Sequence, residues 1–255
     1  MFVNHRGVNI MTKRILSILL ALSMLFSAVL CFAEDLDDDD YDFDDDDDME
    51  SFDDSGYEEE DVKADFKSVS TYNITTYREK DFMYKKSDDG QFAILTSYVG
   101  EEADIVFPSV VEDNIPVVRI DDGMCSDNPV IEHITIPGSI KEIGNAAFSR
   151  CPNLKSVVIE EGLYQIGMCS FGGCPELTEI QLPDSLTKVD NCGFALCSGL
   201  TEVTFGSKLT IIGAQAFFGC ANLAKITMPG GDQVTIGDRV FEQCPEDIEI
   251  IKTDL

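Results

Sequence analysis

Two stretches of the chain repeat one text: "IGNAAFSRCPNLKSVVI" at 143–159 and "IGMCSFGGCPELTEIQL" at 166–182. They share Ile-Gly, Phe and Cys-Pro-x-Leu at the same spacings, 23 residues apart. The cysteines extend the period, since Cys151, Cys174, Cys197 and Cys220 fall at intervals of 23 and Cys244 follows after 24. A fixed period of this size marks stacked units and outranks local propensity as a sign of fold. Five units align, at 128–150, 151–173, 174–196, 197–219 and 220–243, with a truncated sixth at 244–255.

Reading down the units separates structure from decoration. The fourth position is Ile131, Leu154, Leu177, Leu200 and Leu223; the seventh is Ile134, Val157, Ile180, Val203 and Ile226. The ninth is Ile136, Ile159, Leu182, Phe205 and Met228. Positions seven and nine differ by two, so they face one side of a short strand, toward the core. Further apolar columns follow at Ile140, Leu163, Leu186 and Leu209, and at Ile143, Ile166, Val189, Ile212 and Ile236. A Phe column closes each unit: Phe148, Phe171, Phe194, Phe217 and Phe241. The span before each Phe is too short for a long helix and predicts a turn or 3₁₀-like segment. No unit buries these columns alone, whereas stacked coils bury them in one continuous core with a Phe spine.

The pattern L-x-x-V-x-I-P-x-S-I-x-x-I-G-x-x-A-F-x-x-C resembles the BspA-like leucine-rich repeats of secreted and surface proteins in bacteria and some parasitic protists. The resemblance covers about 104–251, with Cys125 standing where Phe148 stands one unit later. It implies an α/β leucine-rich-repeat solenoid. Short parallel strands are expected to stack in one curved sheet, with turns or short 3₁₀ or α segments on the convex side. "DFMYKK" and "QFAILTSY", either side of "SDDG", read as a β-hairpin that caps the N-terminal end. The resemblance further implies adhesion to host or neighbouring-cell components, extracellular matrix proteins among them.

The first quarter of the chain reads differently. Met11–Ala33 has Lys13 and Arg14, then an apolar run, then small residues before an acidic switch, the layout of a signal peptide cleaved after Ala33. Met11 is the better initiator, and a retained membrane span is the alternative. Residues 34–61 hold 19 Asp and Glu and no Lys or Arg, a composition that predicts a disordered, extended linker. Weak calcium binding by this block is the functional alternative. The expected organisation is therefore signal peptide 1–33, acidic linker 34–61, N-terminal cap 62–102 and solenoid 103–255.

Charge and chemistry narrow the function. The formal net charge is −30, of which residues 62–255 carry −14, so the folded part is itself acidic and lacks the basic surface a nucleic-acid binder needs. Five of the eight cysteines beyond residue 33 occupy one repeat column and read as small buried hydrophobes; a disulfide is the alternative. Cys169, Cys174, Cys192 and Cys197 have the wrong spacing for a zinc knuckle. His133 is the one histidine after the apolar run, and the repeat sets no unusual Ser or Cys beside it, so the chain reads as no enzyme. No cofactor is expected.

What is left is a surface. The strand residues alternating with the core columns are Glu132, His133 and Thr135; Lys155, Ser156 and Val158; Glu179 and Gln181; Glu202 and Thr204; Lys225 and Thr227. They form a candidate ligand-binding ladder for a protein or glycan; a plain solvated sheet is the alternative. The expected protein is secreted or held at the cell surface, with an adhesive or protein-binding role. The competing expectation is a structural cell-envelope protein whose acidic block drives calcium-dependent self-association.

Overall fold

The computed structural model describes residues 76–230 and 233–253. The expected signal peptide, the acidic linker and residues 62–75 of the cap lie outside the described residues. Each coil contributes two strands. The first strands are β4 (Asp104–Val106), β7 (His133–Ile136), β9 (Ser156–Ile159), β11 (Glu179–Gln181), β13 (Glu202–Thr204), β15 (Lys225–Pro229) and β17 (Glu249–Thr253). The second strands are β6 (Ile115–Ile120), β8 (Glu142–Ile143), β10 (Gln165–Ile166), β12 (Lys188–Val189), β14 (Ile211–Ile212) and β16 (Thr235–Ile236). Adjacent coils pair in parallel, Ile134 with Val157 and Ile180 with Val157, so the 23-residue period is the register of the sheet.

The solenoid and its parallel strands match the expectation, but they build two walls rather than one curved sheet. The second strands form a continuous ladder, and the first strands form a four-stranded sheet (β4 to β11) and a three-stranded sheet (β13 to β17). In the repeated coils, β8 to β16, the second strand is two residues long, too short for alternation to show in the sequence. The cap is the hairpin of β2 (Phe82–Lys86) and β3 (Ala93–Tyr98), extended by β1 (Tyr77–Glu79). Strand β3 joins the second wall by pairing in parallel with β6, so the hairpin covers the first coil's edge. A small excursion, β5 (Val110–Val111) and a 3₁₀ turn at Glu112–Asn114, folds back on β6.

Among the described residues the convex side carries turns and no helix. Left-handed residues recur twice per coil, at Ala146, Cys169, Cys192, Gln215 and Arg239 and again at Arg150, Gly173, Leu196, Gly219 and Gln243. A helix cannot run through such residues. The turns instead hydrogen-bond from coil to coil: Ala146, Phe148 and Arg150 donate their N–H groups to the carbonyls of Met168, Ser170 and Gly172. The same three donations recur from Cys169, Phe171 and Gly173 to Asn191, Gly193 and Ala195. These bonds make a third wall and satisfy a backbone that would otherwise be strained and unpaired. At one corner the chains approach so closely that Gly162, at φ +131°, leaves no room for a Cβ, which would meet the Gly138 carbonyl oxygen at 2.1 Å.

The core between the walls is a Phe spine flanked by a thiol ladder. Phe148, Phe171, Phe194 and Phe217 stack with ring centroids 5.3 to 5.4 Å apart and planes within 12°. Phe107 meets Phe148 edge-on and fills the space where Cys125 replaces a ring. Cys151, Cys174, Cys197, Cys220 and Cys244 each donate S–H to the carbonyl at the Phe position 26 or 27 residues earlier, on the neighbouring coil, Cys174 to Phe148 and Cys197 to Phe171, at 3.0 to 3.2 Å. A buried thiol fits this place because it packs like a small apolar group yet satisfies a buried carbonyl. Burial pushes the Cys197 thiol up to about 12, which keeps its proton available for that bond. All eight described cysteines are free thiols.

Candidate interaction face

The outward side of the first strands carries the twelve ladder residues. The burial of β7 and β9 alternates, with Ile134, Ile136, Val157 and Ile159 turned inward and the intervening side chains outward. One outward row runs through His133, Ser156 and Glu179, then Glu202 and Lys225; the next runs through Thr135, Val158 and Gln181, then Thr204 and Thr227. Glu132 and Lys155 flank these rows just before β7 and β9. The face is therefore brought together, though the gap in hydrogen bonding between β11 and β13 divides it into two blocks of coils.

Several of these side chains pair with each other. Lys155 Nζ donates to Glu132 Oε2 at 2.5 Å and Lys225 Nζ to Glu202 Oε1 at 2.6 Å, each across one coil step. The Lys155 ammonium holds Glu132 below the ordinary carboxylate range, and Glu132 and Glu202 raise Lys155 and Lys225 in turn. Both pairs are solvated, so they stabilise the stack only weakly. Glu179 is exposed and stands next to Glu202 in its row, which leaves carboxylate charge at the seam between the two blocks.

His133 meets a register partner on the next coil. Its Nδ1 lies 2.7 Å from Ser156 Oγ, so a serine does stand beside it. The repeat itself supplies this neighbour, because 133 and 156 are one period apart and register partners. The pair lies on an open strand face, with His133 exposed.

The sequence ladder also stopped short at both ends. Strand β4 pairs with β7 and adds Asp104 and Val106 to the rows, Val106 being 72% exposed. Strand β17 pairs with β15 and adds Glu249 and Ile251. The x-Ile-x-Phe text around Ile105 and Phe107 was the available signal. Its offset of 29 residues from Ile134, lengthened by the excursion at 110–116, hid it from a search at 23. The exposed β-branched residues Val106 and Val158, the latter 36% exposed, flank Thr135 in one row and, with Ile251 at the far end of it, make up the apolar part of the face.

The four cysteines weighed as a zinc site do not converge. Cys174 and Cys197 are sealed in the core, whereas Cys169 and Cys192 belong to a separate small cluster with Ala195 and Phe218. Among the described residues no group of three or more His, Cys, Asp or Glu is arranged to hold a metal ion, and no helix is long and apolar enough to cross a membrane.

Comparisons with known proteins agree with this geometry. Residues 118–247 match six copies of the BspA type leucine rich repeat region. Comparison with curated proteins gives no match. Among solved structures, a leucine rich cell surface protein of Faecalibacterium prausnitzii A2-165 is 30% identical with a TM-score of 0.62, over 72% of this chain and 52% of that one. The T. pallidum leucine rich repeat protein is 25% identical with a TM-score of 0.59, over 68% of this chain and 92% of that one. The pneumococcal vaccine antigen PcpA shares the fold at 23% identity and a TM-score of 0.58, over 69% of this chain and 48% of that one. The chain thus spans about half the length of the Faecalibacterium protein. Repeat text, three-walled coil and matched copies together place the chain in the BspA type leucine-rich repeat family.

Proposed function

We propose that the protein is a secreted, cell-surface binding protein whose first-strand face contacts a protein or glycan on host or neighbouring cells, and that it catalyses nothing. The observation that carries this reading is the outward face of the first strands, in which small polar and β-branched side chains run from coil to coil in register within each block, Thr135 beside Val158 in one and Thr204 beside Thr227 in the other. A broad, flat, repeated face suits contact with an extended partner better than enclosure of a small substrate. The His133–Ser156 pair supports no acyl transfer on this reading, because nucleophilic catalysis needs oriented oxyanion donors in a water-excluded site and this pair lies on an open sheet.

The test is a binding screen of the full chain against matrix proteins and glycans, repeated with Val158→Lys and Thr204→Lys together. Saturable binding weakened about tenfold by the double variant is the expected result. A panel without saturable binding, or binding indifferent to both lysines, would overturn the reading.

A second reading rests on the acidic text. Nineteen acidic residues within 34–61, with no basic residue among them, offer oxygen ligands in abundance for a hard cation. On this reading the protein is a structural envelope component that self-associates with calcium. Sedimentation of the full chain and of a variant lacking 34–61, in chelator and in millimolar calcium, decides it. Assembly that needs both the block and calcium supports the structural reading; a monomer indifferent to calcium makes the block a spacer.

A further inference from the structure

Cys169 and Cys192 stand apart from the other cysteines. The five ladder thiols are committed to backbone carbonyls in the core, and four of them have no exposed surface. Cys169 and Cys192 instead occupy the same position in adjacent coils on the turn wall, 8% and 7% exposed, in a small cluster with Ala195, Phe218 and the flanking Met168. Both are left-handed, at φ 53° and 56°, so their side chains leave the wall in the same way. The turns that hold them are hydrogen-bonded, Cys169 N–H to the Asn191 carbonyl and Phe171 N–H to the Gly193 carbonyl. One coil step between the paired parallel strands here is about 4.8 Å, inside the range of Cα separations a disulfide spans, about 4.4–6.8 Å.

The two thiols pack in that one small cluster, and Cys192 Sγ lies 3.9 Å from Gln215 Oε1. We propose that Cys169 and Cys192 are a redox-active dithiol on the turn wall, which closes to a disulfide between two coils by exchange with a small external disulfide. The Cys192 thiolate attacks one sulfur of the external disulfide, forms a mixed disulfide and releases one thiolate. Cys169 then loses its proton to solvent and attacks the Cys192 sulfur, which forms the Cys169–Cys192 bond and expels the second thiolate. Two electrons pass to the external disulfide, which leaves as two thiols. The roles follow from the mutual influence of the two clustered thiols, since proximity to Cys169 lowers the Cys192 thiol from its ordinary range while proximity to Cys192 raises Cys169. The bridge fastens two neighbouring coils without touching the Phe spine or the first-strand face.

The reduced full chain is exposed to glutathione disulfide under native conditions and then alkylated. Peptides are mapped with fragmentation that separates Cys169 from Cys174 and Cys192 from Cys197. A single bridge between Cys169 and Cys192 is expected, with the ladder thiols still alkylatable once the chain is unfolded. The oxidised chain should unfold about 5–10 °C higher, and a reducing agent should reverse the gain. Cys169→Ser should stop at a glutathione adduct on Cys192, and Cys192→Ser should react at least about tenfold more slowly than the wild type. Mapping of the wild type decides alone if either variant fails to fold. Retention of both thiols through native exposure, or a bridge at Cys220–Cys244 or elsewhere in the ladder, would overturn the proposal.

Discussion

Phe194→Ala should lower the stability of the protein by about 3–5 kcal/mol, the range for removing a fully buried aromatic ring from a core that cannot collapse around the gap. Phe194 has no exposed surface and lies between Phe171 and Phe217, 5.3 and 5.4 Å away, with planes tilted by 2° and 12°. Collapse is opposed because the turn wall and the second-strand wall fix the spacing of the coils on both sides independently of the ring. The loss therefore includes the transfer of the ring, a cavity and two ring contacts. In a solenoid each coil is held by its two neighbours, so damage at a central coil also uncouples the coils on either side. Phe194→Leu, which keeps most of the volume, should cost less than half as much, and Phe241→Ala less again, because Phe241 is only partly buried. Urea denaturation followed by circular dichroism measures all three. Equal losses from Phe194→Ala and Phe241→Ala would show that the spine does not carry the stability assigned to it.

The Phe spine was legible in the sequence because a residue that meets the same neighbour in every coil is written in every unit. Likewise the first strands, the buried cysteine column and the twelve outward residues followed from periodicity alone. Features made once were harder to read. Phe107 takes the place of the missing ring at Cys125 from outside the 23-residue register, and β4 pairs with β7 across an offset of 29. The absence of convex helices depended on left-handed backbone at positions held by Ala146, Cys169 and Cys192, residues whose types give no sign of that conformation. The His133–Ser156 contact was legible in principle, since it needs only the register, but a search along one strand overlooks a partner on the next. The pair Cys169 and Cys192 was visible as text; only the turn geometry gathers the two into one small cluster apart from the main core.

Arg119→Ala should cost about 2–3 kcal/mol and should act on the cap before it acts on the repeats. The Arg119 side chain, on β6, is 18% exposed and reaches three carboxylates: Asp121 at 2.7 Å, Asp122 at 2.9 Å and Glu142 at 3.1 Å. Lys85, on the hairpin strand β2, binds Asp121 at 3.1 Å and so ties the cap into the same cluster. Removal of the guanidinium leaves three carboxylates around one ammonium, and groups this far from water cannot recover full hydration. A wholly buried pair broken in this way costs about 3–5 kcal/mol; the smaller figure here allows for the partial exposure of Asp122. Arg119→Lys keeps the charge but not the three-way fork, and should recover only part of the loss. Because coils sense mainly their neighbours, hydrogen exchange should accelerate in β1 to β3 and β6, while the amides beyond residue 190 keep their protection. If protection instead falls evenly along the chain, the cluster is part of one cooperative unit and not a latch between cap and solenoid.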